Sequence, residues 1–330
     1  MGNTATASTA GLFVNFSGES LRLFPCPIFP EFHSMNIRNL LFTLVAGSLP
    51  LLRLVTPAAQ AQEPPQWSRA LTLFVPYDDT LDARFAKGDP RIMTASSMAR
   101  TDGRPGNHRP DAKLLPATGR HGGCLRVSAN NPQVIYYAGE KNIDWRPDDW
   151  SGTLSLWMRL DPQVDLAPGF ADPIQITDKK WDDASLFLDF SKDEVPRHFR
   201  LGVFADFKSW NPDNIPWEKL PPARRPMVVV EKPPFRKDGW THVVATWSHY
   251  NTAHPEAKAV LYLDGKPQGT LPGRQTLGWN PPKTAIMLAL SYIGDLDELA
   301  LFDRDLTASE VRELFELPQG LTPIAPSVKR

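Results

Sequence analysis

Cysteine is nearly absent: 330 residues contain two, Cys26 and Cys124. No Cys-x-x-Cys pair can be drawn, which excludes a thiolate zinc cage and a disulfide-stapled scaffold. Charge of one sign is absent too, since 36 Lys and Arg face 37 Asp and Glu for a formal net charge of -1. That balance gives no electrostatic reason to expect a nucleic acid as partner. There is no apolar run long enough for a permanent membrane span: the longest, Leu40 to Val55, is interrupted by Pro50 and Arg53. Nor is there room for long helices, because 33 prolines are scattered through the chain. No G-x-S-x-G elbow and no twelve-residue EF-hand loop occur.

What is present divides the chain. A basic residue, an apolar stretch and an A-x-A site follow one another from Met35, with Arg38 first and Ala59-Gln60-Ala61 last. Residues 35–61 therefore read as a signal peptide that exports the product to the exterior, periplasm or cell envelope. Residues 1–34 read either as a stretch before the true start at Met35 or as a disordered extension. On that division, 62–67 is a short linker, 68–318 one folded domain and 319–330 a tail. All 10 tryptophans fall after residue 61. Cys124, alone in a short apolar run, reads as a small buried residue.

Within the domain the periodicity is that of strands. Leu154, Leu156, Met158 and Leu160 alternate with Ser155, Trp157 and Arg159. The same period returns in Leu186, Leu188 and Phe190, and in Phe199, Leu201, Val203 and Ala205. Further short β-prone runs lie at 124–127, 134–137, 241–247, 268–271 and 285–290. Asp264-Gly265 is the pair a type I′ hairpin turn requires. The stretch 91–116, with DGRPGNHRPD, reads as an irregular loop. A proline-rich excursion over 210–234 reads as edge or loop around one strand at 227–230. Only Thr307 and Glu310, a capping box followed by Val311, Leu314 and Phe315, announce a helix. The fold class that follows is all-β.

The ordered set GTLSLWMRLDP, DGWTHVVATW, LYLDGKPQG and YIGDLDELALFDRDLTASEVRELF resembles the LamG-like jellyroll domains of the concanavalin A-like lectin and glucanase superfamily. YDDTLDARFAKGD and GRHGGCLRV resemble their N-terminal part. The resemblance covers roughly residues 68–318 and implies a two-sheet antiparallel jellyroll sandwich with a short C-terminal helix. It also implies calcium as an expected cofactor, because related domains often hold a structural or ligand-bridging ion. Asp297 matches the Asp-Glu pair of their closing motif, and Asp78, Asp79 and Asp82 are the carboxylates expected to join it. The alternative for Asp297 is that its oxygens fix a turn by accepting backbone N-H groups.

Catalysis finds little support. The Glu-x-Asp-x-Glu string of superfamily glucanases is missing, and the acidic runs 295–298 and 189–194 lack its spacing. A lyase would want a His where Thr177 stands. His242 reads as a structural imidazole, while His249 and His254 bracket one loop and stand close enough to meet. Aromatic side chains offer the better signal, since an exposed indole stacks on a sugar ring and keeps its N-H for a hydroxyl. Trp145, Trp150, Trp181, Trp210, Trp217 and Trp279 all sit beside charges, Pro or Asn, as loop aromatics do. Trp181, Trp210, Trp217 and Trp279 are the candidate ligand-binding set, whereas Trp157, Trp240 and Trp247 read as sheet packing. The expected activity is an exported, non-catalytic module that binds a polysaccharide or glycoprotein glycan. Alternatives are an envelope structural or protein-interaction domain, and a hydrolase or lyase with an atypical site.

Overall fold

The computed structural model describes residues 63–326; the leader, the segment before it and Cys26 lie outside the described residues. Two antiparallel sheets stack face to face in a jellyroll sandwich. The nine-stranded first sheet runs in the order Lys266–Pro272, Lys258–Leu263, Thr241–Tyr250, Trp150–Arg159, Gly294–Phe302, Leu71–Val75 and Phe85–Ala86. Cys124–Val127 also pairs with Gly294–Phe302, and Ala112–Leu115 pairs with it in turn. The eight-stranded second sheet runs Met227–Val230, Phe199–Phe204, Ser185–Phe190, Ala171–Thr177, Ala285–Leu290, Val134–Ala138, Met93–Ala95 and Arg104–Pro105.

Strand alternation decides which side chains meet between the sheets. Leu154, Leu156, Met158 and Leu160 face Leu186, Leu188, Phe190, Phe199, Leu201 and Val203 in one continuous core. Burying those alternate positions sets the register, because a one-residue slip would turn every one of them to the other face. The hairpin at Asp264-Gly265 has φ of 49° and 72°, the positive values that a two-residue I′ loop needs. The helix Ala308–Glu316 is capped as expected: the Thr307 side chain accepts from Glu310 N, and Glu310 accepts from Thr307 N.

The two outer faces are treated differently. On the first sheet, Phe74, Val244, Tyr262 and Phe302 are covered by Val311 and Leu314 of the helix, together with Trp67 and Leu321. Ordered packing therefore runs beyond the expected limits 68–318. Trp67, assigned to a linker, is buried and donates to Glu313, and Leu321, assigned to a tail, is buried and donates to Glu298. The expected loop at 91–116 also contains three short strands, Met93–Ala95, Arg104–Pro105 and Ala112–Leu115, because Asp102 and Thr94 supply side-chain partners that hold otherwise unpatterned chain. The outer face of the second sheet is left partly open.

Candidate functional site

Outward positions of the second sheet build a cavity of about 370 Å³ on that open face. Gln175, Phe187, Asp189 and Arg200 rise from three neighbouring strands, with Met227 and Leu290 at its sides. Loops close it with Met98, Phe170, Trp181 and Trp217. The aromatic wall is continuous. Phe187 stacks on Phe204 at 5.4 Å, Trp181 meets Phe204 at 5.6 Å, and Trp217 meets Trp181 edge-on at 5.5 Å. Phe187 lies across the opposite strand because Gly202 stands directly across the ladder; a Cβ there would come 2.3 Å from the ring. Arg225 sits 4.3 Å from the Trp217 ring and fixes that indole through its face and carbonyl.

The polar floor follows from register. Asp189 and Arg200 are direct cross-strand partners, and the buried guanidinium holds both carboxylate oxygens. A second face of Arg200 lies 5.0 Å from the Phe170 ring. Asp172 stands beside this pair at a register shift in its strand. Its oxygens accept no hydrogen bond among the described residues. Burial, then the neighbouring Asp189 charge, raises its pKa well above the usual carboxylate range against the opposing pull of Arg200. Burial lifts Asp189 as well, while Arg200 works to hold it ionised. Gln175 is buried on the floor, and its Nε2 has no hydrogen-bond partner among the described residues.

The four candidate tryptophans separate. Trp181 and Trp217 line the cavity together. Trp210 packs against Phe204 at 4.9 Å and donates to Asp182 O, so it braces the wall from behind. Trp279 is a correction: only 5% exposed, it donates to Ala184 O and meets Trp150 in the core. Trp150, also read as a loop aromatic, is fully buried at the start of its strand. Flanking polar residues did not show which way an indole turns, and at Trp150 they marked a loop where a strand begins. The floor residues Asp172, Gln175, Asp189 and Arg200 were missed. The signal present in the sequence is polar residues at the outward positions of SLFLDF and FRLGVF.

The expected calcium carboxylates do not form one cluster. Asp297 accepts from His121 N at 3.0 Å and Glu298 N at 2.8 Å, while Asp78 accepts from Gly123 N at 2.9 Å. These two grip the glycine-rich turn 119–123 from either side. Asp82 turns away to Ile92 N, and Asp79 is exposed. Among the described residues no three His, Cys, Asp or Glu side chains gather as a metal site would require. Asp297, Asp78 and Asp82 each spend oxygens on backbone donors, as the turn-fixing alternative for Asp297 expects, while Asp79 faces solvent. Burial nevertheless raises the Asp297 pKa to about 7 and that of Glu298 to about 8, the latter helped by the Asp297 charge.

Among the described residues no cysteine or histidine lines the cavity. Cys124 is buried beside Thr118. His242 is buried against Ser155 Oγ at 2.9 Å, and burial lowers its pKa to about 3. His249 and His254 do stack at 3.9 Å, with Asp149 bonded to His249. No helix among the described residues is long and apolar enough to cross a membrane.

Comparison with known proteins agrees with the sandwich. The binding domain of botulinum neurotoxin DC, solved with rat synaptotagmin II, is 14% identical with a TM-score of 0.50, the match covering 76% of this chain and 52% of that one. A botulinum neurotoxin type C structure, described by its dependence on two ganglioside molecules for cell entry, is 15% identical with a TM-score of 0.50, covering 76% and 51%. Domain 4 of AbnA, a GH43 extracellular arabinanase from Geobacillus stearothermophilus, in complex with arabinotriose, is 15% identical with a TM-score of 0.45, covering 74% and 98%. The chain spans about half the length of the neurotoxin domains it matches. At these identities the likeness is one of fold. No curated protein matches the sequence significantly. A family model described as the concanavalin A-like lectin/glucanases superfamily matches residues 142–312, just over half of the 330 residues and the part that carries most of the cavity. The chain belongs to the concanavalin A-like lectin/glucanases superfamily.

Proposed function

We propose that the protein is a non-catalytic carbohydrate- or glycoconjugate-binding module whose ligand sits in the cavity on the outer face of the second sheet. The observation that carries this reading is where the exposed apolar surface lies. Of six large hydrophobic side chains left exposed among the described residues, Met98 (42%), Phe170 (45%) and Trp181 (41%) all surround this one cavity. Apolar groups converging around a few polar side chains are the ordinary makeup of a ligand site. Aromatic faces beside a carboxylate and an amide suit a sugar, which has both an apolar ring face and a rim of hydroxyls. The volume, near the lower end of the roughly 300–1,000 Å³ typical of small-molecule sites, suits a short oligosaccharide or the end of a glycan.

A binding role fits the carboxylates better than glycoside hydrolysis does. That reaction needs two carboxyl groups free to exchange protons or attack the sugar. Here Asp189 has both oxygens on Arg200, leaving Asp172 alone. The fold does not choose the ligand, since the neurotoxin structures concern a protein in one case and gangliosides in the other. The test is a glycan array probed with the full chain, followed by titration of positive glycans against tryptophan fluorescence. Trp181→Ala is expected to weaken binding by about tenfold, the worth of one stacked aromatic contact, with only a small fall in melting temperature because the indole is partly exposed and sits outside the core. Absence of retention on neutral and acidic glycans, with and without calcium, sinks the proposal.

A further inference from the structure

Resting on that reading, we infer that the cavity selects an uncharged sugar: its ring packs against the aromatic wall that Trp181 and Trp217 form together, its adjacent hydroxyls meet Asp172, and a further oxygen accepts from the spare Gln175 amide. Three observations restrict the ligand this far. The first is the state of the only cation among the lining residues. Both the Nε and a terminal nitrogen of Arg200 are spent on Asp189, and Phe170 covers its face. Asp189 thus neutralises the guanidinium, so although its second terminal nitrogen makes no hydrogen bond among the described residues, an acidic sugar would find no net positive charge to replace its lost hydration.

The second is the balance of the remaining charges. Asp172 lies on the floor beside the Asp189–Arg200 pair and Glu218 at the rim, and neither forms an ion pair with a lining residue. A uronate or sialic acid carboxylate placed here would face like charge at the rim and a half-buried carboxyl on the floor. The third is unused hydrogen-bonding capacity. Asp172 accepts no hydrogen bond among the described residues, and the buried Gln175 Nε2 is an unsatisfied donor. A buried donor without a partner carries an unrepaid desolvation cost, which a ligand that brings an acceptor to Gln175 recovers. A hydroxyl both donates and accepts, so it serves Asp172 in either protonation state as well as Gln175; a carboxylate only accepts, and meets repulsion whenever Asp172 is ionised.

The inference is tested by matched pairs, neutral gluco- and galacto-oligosaccharides against the corresponding oligoglucuronates and oligogalacturonates, titrated into the full chain by calorimetry at moderate ionic strength. Neutral members are expected to bind, and each uronate at least about tenfold more weakly than its partner. Trp181→Ala should lower the affinity of the neutral members, placing the binding at this cavity. Glu218→Lys, an exposed change that leaves the core untouched, should narrow the gap by improving uronate binding. Uronates bound as tightly as their neutral partners, or a gap that Glu218→Lys leaves unchanged, overturn the selectivity while the carbohydrate-binding reading stands. No binding of either class, together with no retention on the glycan array, overturns both.

Discussion

Glu298 occupies a bulge in the strand Gly294–Phe302, at φ 48°, and that single departure from the ladder turns its carboxyl inward beside Asp297. Each accepts backbone N-H groups, yet burial dominates and holds their pKa values at about 8 and about 7. A carboxyl whose pKa is raised on folding stabilises the folded state fully at low pH. That contribution is lost as pH rises toward the folded pKa, since the folded state must then release a proton that the unfolded chain has already lost. His242 acts in the opposite sense: its pKa, lowered from 6.5 to about 3, makes the folded state less stable as pH falls below 6.5. The two trends oppose each other in acid, and above pH 6.5 only the carboxyls remain. Melting temperature should therefore fall from pH 6.5 to 9, with Glu298 alone worth on the order of a few kcal/mol. Glu298→Gln keeps an oxygen for Leu321 N and should flatten this fall. An equally steep fall in the variant would mean that the slope comes from other groups. None of this was legible from GDLDELALF, where Asp297 and Glu298 read as one acidic turn. The bulge, a backbone event, is what buries both. Trp279 makes the same point, since Gly278 and Asn280 beside it mark a turn while its indole drops into the core.

Elements whose signals are local were readable in the sequence. The strands with strict alternation, the Asp264-Gly265 hairpin and the Thr307-Glu310 cap depend on residues within a few positions of one another, and each occurs where its pattern falls. The proline-rich excursion was readable only as an absence of inner strand. In the structure 210–234 becomes short 3-10 turns and the edge strand Met227–Val230, and these carry Trp217 over the cavity. Pairing between strands is the level at which the site appears. Asp189 faces Arg200 and Phe187 faces Gly202 only because Ser185–Phe190 and Phe199–Phe204 pair in one register. Gly202 tests that register directly. A methyl group in Gly202→Ala would meet the Phe187 ring, which must swing toward the cavity. We expect a loss of about 1–3 kcal/mol in stability from overpacking and weaker ligand binding, read by denaturant unfolding and by fluorescence titration. Unchanged affinity would show that Phe187 is not part of the wall that the ligand meets.

At the scale of the whole molecule the two outer faces divide the labour of stability and recognition. The first sheet is sealed by the helix Ala308–Glu316 and by segments that precede and follow the recognisable domain, with Trp67 and Leu321 in one apolar cluster with Phe74 and Phe302. The second sheet leaves its outer face to a cavity assembled from residues as far apart in sequence as Met98 and Leu290. That span explains why motif spacing found two of its aromatics and missed its floor. The division has a measurable consequence, because a change on the sealed face should cost stability without touching the site. Leu321→Ala removes a fully buried side chain at the end of the described chain. It should lower unfolding free energy by about 2–4 kcal/mol. Well below the melting temperature, the affinity for a neutral oligosaccharide should stay within about twofold of the parent, since sites that share no partners contribute nearly additively. A variant that loses affinity in step with stability, under conditions where it is still fully folded, would place the ligand on the helix-covered face or couple the two faces through the core.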